Sequence, residues 1–303
     1  MKKSSDPPRL KTLPEMVQEQ TTIIVELDPP RDLDYSPFLE GAAALKESGA
    51  DAVTMADNSL AMTRISNVAM GTIVKERVGI RPLLHVTCRD RNLIAQQSHL
   101  MGLHALGIDH VLTVTGDPPR YGDLPRAASV YDTSSMELIR LIKQLNEGIS
   151  FSGRPLKAGT AFTVGAAFNP HTRHVNKAVE RLESKMAAGA DYAMSQPLFC
   201  PRQIEQIAQA TQHVPIPIFM GVMPLTSSRN ARYLQDHVPG IQLPDDVLAK
   251  MDRFQGEDAR KQGMEIAMEL VDSVCRYFKG IYLITPFMRY DMTAQLTRYV
   301  KSK

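Results

Sequence analysis

Asp109-His110-Val111-Leu112-Thr113-Val114-Thr115-Gly116-Asp117-Pro118-Pro119 decides the fold of this chain. β-Branched and apolar residues run from Val111 to Thr115 and stop at a glycine, a carboxylate and two prolines, the pattern of a buried strand with an abrupt end. Proline continues neither a ladder nor a helix, and Gly116 lets the backbone come close to another molecule. The strand therefore presents Asp117 on a stiff support at a rim. In alternating α/β folds that rim carries the binding and catalytic groups.

Just upstream, Leu106-Gly107-Ile108-Asp109 ends a helical pattern on glycine and starts the strand at once. The same junction recurs at Ser48-Gly49-Ala50-Asp51, Ala188-Gly189-Ala190-Asp191 and Lys279-Gly280-Ile281-Tyr282. Glycine after a helix closes it in the left-handed conformation, so each junction predicts a helix followed directly by a strand. Strands are expected at 22–27, 51–55, 82–87, 110–115, 160–167, 191–196, 216–222 and 281–285. Helices fall between them at 37–48, 63–78, 91–106, 134–147, 173–188, 201–211, 227–236 and 257–278, with an extra C-terminal helix at 289–301. Eight alternations predict a closed parallel (β/α)8 TIM barrel as a single α/β domain over residues 21–303. Residues 1–20 read as an N-terminal arm and 238–256 as an insertion. No strand is followed by the glycine-rich dinucleotide fingerprint, which excludes a classical Rossmann site.

A chain of 303 residues, 43% hydrophobic and 22% charged, suits one such barrel with a large core. Its net charge of +2 gives no case for nucleic acid or an anionic membrane as partner. No apolar run is long enough to span a bilayer, and the Pro-rich polar start is unlike a signal peptide. Cys88, Cys200 and Cys275 stand far apart without a CxxC, so neither a zinc site nor a disulfide framework is expected, and the cytoplasm is the expected location.

In this register the strand ends carry Glu26, then Thr54 with Asp57 and Asn58, then His85 and Thr87, then Gly116 and Asp117. The later strands carry Ala166, Phe168 and Asn169, then Gln196, Gly221 with Met223, and Thr285. Singly, each has an ordinary role. Glu26 can cap a turn or pair with Arg31, Asp117 before Pro118 is a common turn, and His85 can be a core histidine. Gln196 can be an amide bonding backbone, Lys185 a solvated helix residue, and His171 with His174 a solvent-facing loop. Together they are less ordinary, because barrel interiors favour Val, Ile and Leu. Carboxylates from strands 1 and 4, with a histidine and an amide and no metal-ligand set, suit proton transfer and stabilisation of a cation on a polar heterocycle.

The ordered set Val25-Glu26-Leu27-Asp28-Pro29-Pro30-Arg31, Val53-Thr54, Leu84-His85-Val86-Thr87-Cys88, Thr115-Gly116-Asp117-Pro118-Pro119 and Ala188-Gly189-Ala190-Asp191 to Gln196-Pro197 resembles the methylenetetrahydrofolate reductase family over residues 20–300. Gly165-Ala166-Ala167-Phe168-Asn169-Pro170 and Ser195-Gln196-Pro197 resemble most the reductase half of bacterial fusions with a homocysteine methyltransferase. The resemblance implies a TIM barrel with FAD at its C-terminal rim, reducing 5,10-methylenetetrahydrofolate to 5-methyltetrahydrofolate with NAD(P)H as co-substrate, in one-carbon metabolism and methionine supply. By motif it implies that Glu26 is the acid that protonates the folate N10. Asp117 would stabilise the resulting cation and bind the pterin, and Gln196 would orient the folate. Thr54, His85, Thr115, Gly116, Asp117, Ala166, Phe168 and Lys185 would surround the flavin, with Lys185 reaching its pyrophosphate. It further implies a homo-oligomer, and a separate homocysteine methyltransferase or electron-transfer protein as a possible partner. The sequence departs from the family pattern where Phe168-Asn169 replaces Tyr-Pro and Thr115 replaces an arginine. Two other readings use the same residues: a flavin-free pterin-binding barrel for methyl transfer, and a non-catalytic folate-binding partner of a methyltransferase.

Overall fold

Eight parallel strands close in sequence order: β1 (Thr22–Glu26), β2 (Ala52–Met55), β3 (Arg81–Thr87), β4 (His110–Val114), β5 (Thr163–Phe168), β6 (Tyr192–Pro197), β7 (Ile218–Val222) and β8 (Gly280–Ile284), the last pairing with β1. The computed structural model describes residues 10–172, 174–238 and 240–303. The helices around the barrel are α1 (Leu13–Glu19), α2 (Ser36–Glu47), α3 (Asn67–Ile73), α4 (Leu93–Ala105), α5 (Ser135–Asn146), α6 (Val175–Ala187), α7 (Pro201–Ala210), α8 (Ser228–His237), α9 (Asp245–Asp252), α10 (Gly256–Cys275) and α11 (Tyr290–Lys301). The expected (β/α)8 architecture and the extra C-terminal helix are present.

Strand residues alternate between two cores, as the two-residue period of a strand requires. Ile24, Leu83, Leu112, Tyr192, Met194, Phe219 and Tyr282 fill the barrel interior. Their neighbours Val25, Leu84, Val86, Val111, Val164 and Ile281 face the helices. Glu26, Thr54, His85 and Gln196 share the inward parity and therefore stand at the C-terminal mouth.

The opposite end is plugged. Residues 13–19 of the expected arm form α1, which starts with a reciprocal capping box between Thr12 and Glu15. Leu13 and Val17 join the interior cluster. Leu13 N donates to Nε2 of the fully buried His110, whose Nδ1 faces Asp109 at 2.7 Å. The histidine that opens β4 thus fixes the plug.

Three of the four glycine junctions behave as expected, with Gly49, Gly107 and Gly189 in the left-handed region. Two of their aspartates close the barrel floor: Asp51 accepts from Ile23 N and Asp191 from Val164 N, each at 2.7 Å. The fourth junction differs. Gly280 is the first residue of β8 and α10 has already ended at Cys275. The helix expected over 63–78 begins only at Asn67, after a rim segment in which Asn58, Leu60 and Ala61 turn left-handed. The 238–256 insertion contains α9. Among the described residues no helix is long and apolar enough to cross a membrane.

Candidate active site

Glu26 ends β1 facing inward and is partly open to the mouth. The Tyr282 hydroxyl, from inside the neighbouring β8, donates to Glu26 Oε2. Asp28 follows two residues later, bound to Arg64 at 3.1 Å and accepting from Ser59 Oγ at 2.7 Å. Burial foremost, and then the Asp28 charge, push the Glu26 carboxyl up from 4.5 to about 8, against the opposing pull of Tyr282 and Arg64. A carboxyl in such surroundings keeps its proton at neutral pH and can serve as an acid.

Asp117 follows β4 and is built differently. Its Oδ2 accepts from Leu60 N at 2.9 Å, tying the β4 loop to the left-handed turn after β2. Arg89, only 3% exposed, donates to the carbonyls of Asp117 and Asn58 and so clamps both loops from beneath. Gly116 has φ +88°, and a Cβ there would collide with Thr87 Oγ1 and press on Arg89. The glycine is therefore required by packing within the rim itself. Consecutive non-glycine residues in left-handed geometry are costly and gather at functional sites. Leu60 with Tyr121 from this rim, and Tyr233 with His237 from α8, line a cleft of about 360 Å³.

Among the described residues, two polar atoms on inward strand positions have no hydrogen-bond partner. Thr54 Oγ1 and His85 Nε2 are both buried and unbonded, as is Asp28 Oδ1. Burial holds the His85 ring neutral, lowering it to about 4 despite Asp28 and Asp57, and its backbone carbonyl accepts from Asn67 Nδ2. A buried polar atom without a partner costs on the order of 1–3 kcal/mol, so a row of them at a mouth is what a polar ligand would satisfy. Gln196 is exposed beside a register shift between β6 and β7, where Gly221 approaches the Gln196 backbone so closely that a Cβ would lie 2.9 Å from it. Such irregularities at barrel rims aim side chains into sites.

The remaining expected site residues are divided between the rim and the core that faces the helices. Ala166 and Phe168 are buried in the outer core between β5 and the helices, with outward parity. Thr115 is exposed, and its carbonyl accepts from Thr87 Oγ1. Lys185 Nζ donates to the Ala167 carbonyl at 2.6 Å, and burial, with Arg181 nearby, lowers its affinity for a proton. His171 is buried, its Nε2 2.7 Å from the Pro197 carbonyl, and it ties the β5 and β6 loops together. Among the described residues no group of three or more His, Cys, Asp or Glu side chains is placed to hold a metal.

The family model described as methylenetetrahydrofolate reductase matches residues 9–294. The chain belongs to the methylenetetrahydrofolate reductase family. A Caenorhabditis elegans protein named probable methylenetetrahydrofolate reductase (NADPH) is 24% identical over 269 residues, which cover 84% of this chain and 38% of that protein. The 5,10-methylenetetrahydrofolate reductase of Salmonella typhimurium is 23% identical over 86% of this chain and 84% of its own length. The chain thus spans well under half of the nematode relative and most of the bacterial one. Among solved structures, an uncharacterized Clostridium thermocellum protein described as binding two copies of 5-methyl-5,6,7,8-tetrahydrofolic acid shares the fold, with a TM-score of 0.65 at 12% identity over 96% of this chain and 99% of that one.

For a member of the reductase family, the mouth offers a protonated carboxyl, an exposed amide, a neutral histidine and a fixed aspartate. Sequence reasoning missed Tyr282, Arg64 and Arg89. Tyr282 had a readable signal, since it shares the inward parity of β8 and β8 closes the barrel beside Glu26. Arg64 and Arg89 sit on loops whose path only the folded rim defines.

Proposed function

We propose that the chain reduces 5,10-methylenetetrahydrofolate to 5-methyltetrahydrofolate, with FAD at the barrel mouth and NAD(P)H as electron donor. The single observation that carries this reading is the inward-facing Glu26 carboxyl at the barrel mouth, bonded by the Tyr282 hydroxyl in surroundings that raise its hold on a proton. Family membership and the folate named for the Clostridium thermocellum neighbour point the same way.

The buried, unbonded Thr54 Oγ1 and His85 Nε2 fit a polar ring system at the mouth, and these two residues would hold the flavin there. When bound, the flavin accepts electrons from the nicotinamide and supplies hydride to the folate one-carbon unit. The protein's own work is acid chemistry and placement. Glu26 transfers its proton to the bridging N10 of the substrate, whose bond to the one-carbon unit breaks and leaves a cation. Asp117, locked by Leu60 N and the Arg89 clamp, provides negative charge for that cation without having to reorganise. Gln196 offers both donor and acceptor to the pterin edge. The Lys185 ammonium is occupied by the Ala167 carbonyl, so in this reading it steadies β5 rather than binding a phosphate.

The test is direct. Purified protein is incubated with FAD, gel-filtered, and supplied with methylenetetrahydrofolate and NADH or NADPH while products are separated by chromatography. Retained flavin absorbance and appearance of 5-methyltetrahydrofolate are expected. A colourless protein that yields no product with either nucleotide overturns the reading, and methyltetrahydrofolate binding by that colourless protein would favour a flavin-free methyl-transfer barrel.

A further inference from the structure

The interior of β8 holds a polar group that the acid chemistry above does not use. β8 pairs with β1 so that Tyr282 lies beside Ile24 and Ile284 beside Glu26. Tyr282 therefore stands one layer deeper than the acid, on the adjacent strand, and its side chain is only 6% exposed. On its other flank the register partner is Gly221 of β7. From this position the phenol reaches up the barrel axis and donates to Glu26 Oε2.

We propose that Tyr282 is the positioning residue of the acid: its hydroxyl engages Glu26 Oε2 and so fixes Oε1 as the oxygen that carries and delivers the proton. The inference rests on Glu26 being the acid, and it adds how that acid is held. A phenol has one proton to donate, and here that proton is committed to Oε2. A neutral carboxyl accepts on its carbonyl oxygen and carries its own proton on the other. Burial raises the Tyr282 phenol well above its usual 10, so it remains the donor throughout. During transfer the Oε1–H bond breaks and an N–H bond forms on the substrate. The phenol O–H stays intact, and solvent later returns a proton to Glu26. The hydrogen bond to Oε2 becomes charge-assisted as the carboxylate forms, and it strengthens at the moment it is needed.

The charged and titratable groups that act on Glu26 are Asp28, which disfavours its anion, and Arg64 and Tyr282, which favour it. His85, from β3, faces Asp28 and Asp57 and is neutral above about 4. Of these, Tyr282 alone is hydrogen-bonded to the carboxyl, so removing its hydroxyl has a defined sign. Tyr282→Phe makes Glu26 hold its proton more tightly. Replacing Tyr282 with 3-fluorotyrosine, a stronger donor of similar size, does the reverse.

The readout is the infrared band of the protonated carboxyl that disappears in Glu26→Gln, followed against pH in the unliganded protein. In Tyr282→Phe it should persist to higher pH by about one unit, and in the fluorotyrosine protein it should vanish at lower pH. The alkaline limb of folate turnover against pH should move with it in both variants. A band and a limb that titrate at the same pH in all three proteins would overturn the proposal. Should Tyr282→Phe fail to fold, the fluorotyrosine protein decides alone. The infrared titration needs no turnover, so a wild-type protein inactive toward folate would defeat the functional reading while leaving this one to be judged by the band.

Discussion

Glu26→Gln should make the protein more stable, and increasingly so as the pH rises. An unfolded chain releases the Glu26 proton near 4.5, whereas the folded protein holds it until about 8. Below 4.5 both states are protonated and the site contributes nothing to the pH dependence. Between the two values the folded state binds a proton that the unfolded state has lost, so stability falls by about 1.4 kcal/mol per pH unit. The loss amounts to about 3 kcal/mol at pH 7 and levels off above pH 8 at no more than about 5 kcal/mol. Glutamine has the same shape, carries no charge, and can still accept from Tyr282 through its amide oxygen. Urea unfolding of both proteins at pH 5, 7 and 9 isolates the term, because every other titrating group is common to the pair. The variant should gain under about 1 kcal/mol at pH 5 and several kcal/mol at pH 9. Stability curves that run parallel across this range would refute the claim that the fold holds Glu26 in its acid form. Stability gained by neutralising a functional group is the usual sign that the native residue is kept for chemistry.

Three further outcomes follow from the same geometry. Leu13→Ala in the α1 plug, a fully buried site, should cost about 3 kcal/mol by urea titration while leaving the residues of the mouth in place. Gly116→Ala imposes a left-handed alanine and a collision with Thr87, so it should destabilise by at least about 2 kcal/mol and lower the melting temperature; an unchanged melt would show that the rim loop can relax. Thr54→Val replaces a buried unbonded hydroxyl with a methyl, so the unliganded protein should be equally or more stable, by up to about 1–2 kcal/mol, while flavin affinity measured by fluorescence titration falls about tenfold. Loss of unliganded stability would mean that Oγ1 already has a partner.

The barrel was legible because its two periodicities are written plainly. Val111 to Val114 and its counterparts alternate between interior and helix-facing cores, the Gly–Asp junctions at 49–51, 107–109 and 189–191 mark helix ends, and Asp51 and Asp191 of these also make floor hydrogen bonds. α1 was hidden because a seven-residue segment containing Pro14 and two glutamates reads as polar, although Thr12 and Glu15 already spelled a capping box. Parity explains the uneven fate of the expected site residues. Glu26, Thr54, His85 and Gln196 stand on inward positions, whereas Ala166 and Phe168 share the outward parity of Val164 and enter the helix-facing core. Parity could have separated these in advance, and it could have flagged Tyr282. It could not have shown that Lys185 turns to the Ala167 carbonyl, or that Gly116 is pinned by Thr87. Those contacts depend on loop paths and long side-chain rotamers that no period encodes.

On the proposed mechanism, the proton held by Glu26 is the one the folate receives. That transfer is tested most directly by mixing flavin-loaded, pre-reduced protein with methylenetetrahydrofolate and following flavin reoxidation together with 5-methyltetrahydrofolate formation, in wild type and in Glu26→Gln. Loss of a proton donor from an acid-catalysed step should slow that reoxidation by about 10²–10⁴-fold. Reoxidation and product formation in Glu26→Gln within a few-fold of wild type would contradict the account.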